Sequence, residues 1–71
     1  LMSNFQQPFF KNLRAVRKSA NLTQADMAQE LSLTRSAYAY YELGRVQPSL
    51  NTLVKICGIL GVSSDSLLGL G

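Results

Sequence analysis

Hydroxyl side chains at regular intervals cut this chain into short helices. Thr23, Thr34, Ser49 and Ser63 or Ser64 each stand directly before an apolar-periodic run. A Ser or Thr there accepts a hydrogen bond from the unpaired N–H groups of a helix's first turn. Asn21, Gly44, Gly61 and Gly69 close the runs, at places where a left-handed residue ends a helix. No stretch keeps up the apolar–polar alternation of a strand. The fold expected is all-α, a compact bundle of five short helices.

The first helix is read from about Pro8 to Ala20. Pro8 suits a first turn because it has no N–H to leave unpaired. Phe9, Leu13, Val16 and Ala20 recur at helical spacing and form one face. The second opens at Thr23, with Asp26 where a capping box carries Glu. It places Ala25, Met27, Ala28 and Leu31 on its apolar side and breaks at Ser32 and Leu33. Thr34 caps the third, which runs from Arg35 to about Leu43 and stops at Gly44. The loop from Gly44 to Pro48 leads to Ser49 and a fourth helix. Its expected buried stripe is Leu50, Leu53, Val54, Cys57 and Leu60, and Gly61 ends it. A last short helix carries Leu67 and Leu68 before Gly69. Residues 1–7 are expected to be an N-terminal tail, and 8–69 a single domain.

Composition narrows the function classes. Seventy-one residues hold one domain at most, and 46% hydrophobic residues suffice to pack it. The apolar runs are short and interrupted, so none spans a bilayer. The N-terminal residues lack the basic and apolar regions of a signal peptide. The lone Cys57 closes no disulfide within the chain. The expected compartment is the cytoplasm. There is no histidine, which removes the usual general base and the commonest transition-metal ligand. The four carboxylates show no catalytic or metal-ligating spacing. No enzyme, metal, cofactor or small-molecule ligand is expected. The net charge of +3 leans toward polyanions.

Two short helices joined by a turn of about three residues form the DNA-reading helix-turn-helix unit, here Thr23 to Gly44. Such helices cross closely, which calls for the small Ala28. Met27, Leu31, Leu33, Tyr38 and Tyr41 are expected to close the core between them. Arg35, Ser36, Ala39 and Tyr40 are left pointing outward. That face solubilises poorly and suits base edges: Arg donates bidentately to guanine, Ser pairs with several bases, and an Ala methyl meets a thymine methyl.

From Phe9 to Leu68 the sequence resembles the lambda-repressor-like, Cro-type helix-turn-helix regulators, the xenobiotic-response-element-like family. Leu-Thr-Gln at 22–24, Met-Ala at 27–28, Tyr-Tyr-Glu-Leu-Gly-Arg at 40–45, Pro-Ser-Leu at 48–50 and Leu-Gly-Val-Ser at 60–63 carry the resemblance. It implies a transcriptional regulator, a repressor, that reads the major groove with helix 35–43. It further implies that Gln24 contacts phosphate and supports the reading helix. Thr34, Arg35 and Ser36 match the entry of that helix, Tyr40 a contact one turn on, and Arg45 a phosphate-holding loop residue. Arg17 and Glu42 match a structural salt bridge between the first and third helices. Ser32 departs from the family at a turn that often carries Gly, and Tyr38 and Tyr41 stand where smaller aliphatics are common. Tyr38 is therefore expected to be core, with some reach toward the groove.

Double-stranded DNA is the expected partner, bound as a homodimer through the C-terminal Leu67, Leu68 and Leu70. The alternative is a protein-interaction module, such as an antitoxin, or the DNA-binding part of a larger regulator. An interaction-only module has no need of a basic, polar outward face on the third helix. Lys11, Arg14 and Lys18 are read as a solvated face, with phosphates at the edge of the site as their alternative contact, and Cys57 as a small core residue.

Overall fold

The computed structural model describes residues 8–70, and the tail assigned to residues 1–7 lies outside them. The described residues form five helices and no strand: α1 (Phe9–Ser19), α2 (Gln24–Glu30), α3 (Arg35–Leu43), α4 (Leu50–Leu60) and α5 (Ser64–Leu68).

The caps set these boundaries. Thr23 Oγ1 accepts from the Asp26 N–H at 3.0 Å, and the Asp26 carboxylate accepts from the Thr23 N–H at 2.8 Å. The shorter Asp thus completes the reciprocal box. Thr34, Ser49 and Ser63 accept from Ala37, Thr52 and Ser66 in the same way, which settles the last cap on Ser63. Asn21 and Ser32 hold left-handed backbones at φ 60° and 57°. For Ser32 this conformation costs roughly 1 kcal/mol relative to the glycine common there. Gly44 ends α3 at φ +75°, and a Cβ there would stand 2.8 Å from the Phe10 ring. Glycine at this point lets α1 pack against the end of α3.

The core is one cluster drawn from every helix: Leu13 of α1, Met27 and Ala28 of α2, Tyr38 of α3, Ile56 of α4, Leu67 of α5, and Leu31 at the α2 terminus. α2 packs on α3, α1 on α3 and α5, and α4 on α2 and α5. Asn12 Nδ2 donates to the Leu67 carbonyl at 3.0 Å, tying α1 to the last helix.

Four expectations are corrected. Leu67 is fully buried, so it belongs to the core and offers nothing to a dimer surface. On α4, Leu50 and Val54 are 81% and 70% exposed, while Ile56, outside the expected stripe, is fully buried. The helix is turned so that Leu53, Ile56, Cys57 and Leu60 face inward. Ala20 and Ala25, expected on apolar faces, are exposed. Tyr38 is wholly core, and its hydroxyl finds its partner inside the protein.

Candidate nucleic-acid interface

The candidate interface is the outward side of α3 and the segments flanking it. Arg35 and Ser36 are exposed in the first turn, Ala39 is half-buried and Tyr40 is 46% exposed one turn on. Leu43 continues the same stripe, 59% exposed. Leu43 is not among the expected contacts, although it follows Ser36 and Tyr40 at helical spacing. Thr34 is exposed at the cap, and its hydroxyl still has a proton to donate. Arg45 is exposed in the loop beyond Gly44, its N–H held by the Tyr40 carbonyl at 3.0 Å. The residues expected to meet DNA thus lie on one helix face, its N-terminal cap and the loop that follows. Gln24 is the exception, half-buried at the start of α2.

What fixes the inner side of α3 is the Glu42 carboxylate. One of its oxygens accepts from Arg17 Nε and from the Tyr38 hydroxyl, each at 2.5 Å. The other accepts from Arg17 Nη2 at 3.0 Å and from Gln24 Nε2 at 3.1 Å. Arg17 Nη1 also donates to the Leu22 carbonyl at 2.8 Å, pinning the segment before α2. One buried carboxylate therefore joins α1, α2 and α3, and the expected Arg17–Glu42 salt bridge is present.

The electrostatics follow from these contacts. Burial pushes the Glu42 carboxyl upward, but the hydrogen bonds from Arg17, Tyr38 and Gln24 outweigh it, and the group lies below the usual glutamate range. Burial and the neighbouring carboxylate push the Tyr38 phenol far up, so it stays a protonated donor. The hydrogen bond to Glu42 raises the Arg17 guanidinium, which keeps its charge.

Beside α3, an open hollow of about 540 Å³ lies between α1, the start of α2 and α3. Arg14, Thr23, Gln24, Arg35 and Leu43 are among the residues that line it. Among the described residues no three His, Cys, Asp or Glu side chains come together as a metal site, and no helix is long and apolar enough to cross a membrane.

The family pattern of the helix-turn-helix matches residues 13–67, from the first core residue of α1 to the last of α5. This chain belongs to the helix-turn-helix family. The chain is 50% identical over 60 residues to the HTH-type transcriptional regulator YqaE of Bacillus subtilis, a match covering 84% of this chain and 52% of YqaE. It is 37% identical over 59 residues to the immunity repressor protein of Bacillus phage phi105, covering 83% of this chain and 41% of the repressor. The chain thus spans about half the length of the curated relatives it matches. Among solved structures, the P22 c2 repressor bound to a synthetic operator superposes with a TM-score of 0.82 and 25% identity, covering 92% of this chain and 98% of that one. The five helices have this lambda-repressor-like fold. A domain of the same shape makes up 32% of hydroxypropylphosphonic acid epoxidase from S. wedmorenis, with a TM-score of 0.79 and 28% identity over 84% of this chain.

Proposed function

We propose that the chain is a sequence-specific DNA-binding transcriptional regulator, a repressor, that inserts α3 into the major groove. The observation that carries this reading is the exposed stripe of Arg35, Ser36 and Tyr40, with the half-buried Ala39 between them, on a helix whose opposite side is clamped by Glu42. A reading surface must hold its register to within a base edge, and a helix tied to two neighbours does so. Arg35, Ser36 and Tyr40 read bases, with the Ala39 methyl alongside. Thr34, Arg45 and Gln24 hold phosphates and set register. Gln24 retains an amide proton and a carbonyl beyond its bond to Glu42. The repressor names of the phi105 and P22 relatives support the direction of regulation. The domain runs over residues 8–69 and acts in the cytoplasm by binding, with no catalysis of its own.

Two substitutions separate the roles. Arg35→Ala costs roughly 1–3 kcal/mol on the preferred site and relaxes preference at one position of each half-site. Arg45→Ala weakens binding to all sequences and lowers the slope of log affinity against log salt by about one. Equal loss on every sequence for Arg35→Ala places it on phosphate, and an unchanged salt slope for Arg45→Ala removes it from the interface.

A module of this size buries little DNA surface, so the active form is a homodimer on half-sites about 34 Å apart. Leu68 and Leu70, 40% and 63% exposed, remain for the interface. Pro48, Leu50 and Leu53 line one apolar groove with Leu68 and extend that surface. Leu70→Asp is expected to shift sedimentation from dimer to monomer, and an unshifted boundary counts against this surface.

A further inference from the structure

We infer that Arg14 is a further DNA-contacting residue: one strand's backbone seats in the hollow between α1 and α3, and Arg14 holds a phosphate from the α1 wall. This rests on the DNA-binding reading above. Of Lys11, Arg14 and Lys18, for which solvent and edge phosphates were both open, it singles out the one that lines the hollow.

The α1 arginine nearest the network is not available for DNA. Arg17 spends Nε, Nη1 and Nη2 on Glu42 and the Leu22 carbonyl, and only 8% of it is exposed. Arg14 lies one turn earlier on α1, is exposed, and forms no ion pair among the described residues. It lines the same hollow as Arg35, which stands on the opposite, α3 wall. The charge balance there is one-sided. Glu42 is the only carboxylate in the lining and is neutralised by Arg17, so Arg14 and Arg35 leave the hollow two uncompensated positive charges. An open, basic hollow beside a helix with an outward hydrogen-bonding stripe matches the layout of duplex DNA. A helix seated in the major groove has a phosphate backbone along its flank. The geometry divides the labour: Arg35 points to bases from the α3 side, and Arg14 meets the backbone from the α1 side. Guanidinium suits this task because its planar fork matches phosphate oxygens.

The test is the affinity of the full chain for a mixed-sequence duplex of about two helical turns, followed by fluorescence anisotropy over a salt series. A lost phosphate contact forgoes the release of about 0.9 of a counterion, so Arg14→Ala is expected to bind about eightfold more weakly at 0.1 M salt and about twofold more weakly at 0.5 M. The loss is the same on a second duplex of unrelated sequence. Arg14→Lys restores the salt slope. Lys55→Ala, which removes a charge from α4 outside the hollow, leaves it unchanged. Arg14 is exposed, so its variants keep the helical circular dichroism of the parent. If the parent binds and Arg14→Ala keeps the parental slope, this inference falls and the DNA-binding reading stands. An equal drop for Lys55→Ala, or a loss that differs between the duplexes, also overturns it. A parent that ignores duplex DNA at low salt overturns both.

Discussion

Glu42→Ala is expected to destabilise the fold by about 3–5 kcal/mol, the range for removing one partner of a buried ion pair. The substitution strands Arg17, Tyr38 and the Gln24 amide, all of which donate to that carboxylate. A chain of this length has a total stability of only about 4–11 kcal/mol, so the variant should be largely unfolded well below the parental urea midpoint. Urea titration followed by far-ultraviolet circular dichroism measures it, and a midpoint within error of the parent contradicts the network. The same group gives the pH dependence its sign. The folded Glu42 carboxyl lies below the ordinary value of 4.5, so the unfolded chain binds its proton first as acid is added. The contribution is complete above pH 4.5 and is lost as pH falls through the lower folded value. Asp26, held low by its bonds to the Thr23 backbone N–H and side chain, acts in the same direction. Glu42→Gln should therefore flatten the acid limb of stability without abolishing it.

Leu67→Ala is expected to cost about 2–5 kcal/mol, the range for emptying a fully packed leucine site. The Leu67 side chain is completely buried, and its carbonyl accepts the bond from Asn12. Val54→Ala supplies the contrast. Val54 is 70% exposed, and its truncation should change folding stability by less than about 0.5 kcal/mol. Thermal denaturation of Val54→Ala decides between the expected stripe of α4 and the observed one, and that of Leu67→Ala tests the seat of α5 in the core. A large loss at Val54 with little at Leu67 contradicts the packing described here.

These two residues mark the limits of what the sequence made legible. Helix boundaries were readable because capping is local chemistry, as with Thr23 and Asp26, or Ser49 and Thr52, three residues apart. The rotation of α4 was not. Seven of the eleven residues of Leu50–Leu60 are apolar, so more than one stripe fits, and only packing against α2 and α5 chooses between them. Leu67 and Leu68 sit side by side in a five-residue helix, too short for periodicity to say which one points inward. The Arg17–Glu42 pair came through the family resemblance. Its other partners are unevenly visible: Tyr38 and Glu42 stand four apart on α3, a spacing that brings side chains together, whereas Gln24 reaches Glu42 from another helix and leaves no local mark. The outward stripe on α3 was legible by subtraction. Once Tyr38, Tyr41 and Glu42 turn inward, Arg35, Ser36 and Tyr40 have nowhere else to face.

The most direct test of the central claim, that this stripe reads duplex DNA, is selection of bound sites from a random-sequence pool with the parent and with Arg35→Ala. The parent should enrich a two-fold symmetric motif whose half-sites lie about 10 base pairs apart, one helical turn. Arg35→Ala should keep the spacing and lose preference at one position of each half-site. A pool that emerges as random as it entered, or an identical motif from both proteins, contradicts the account.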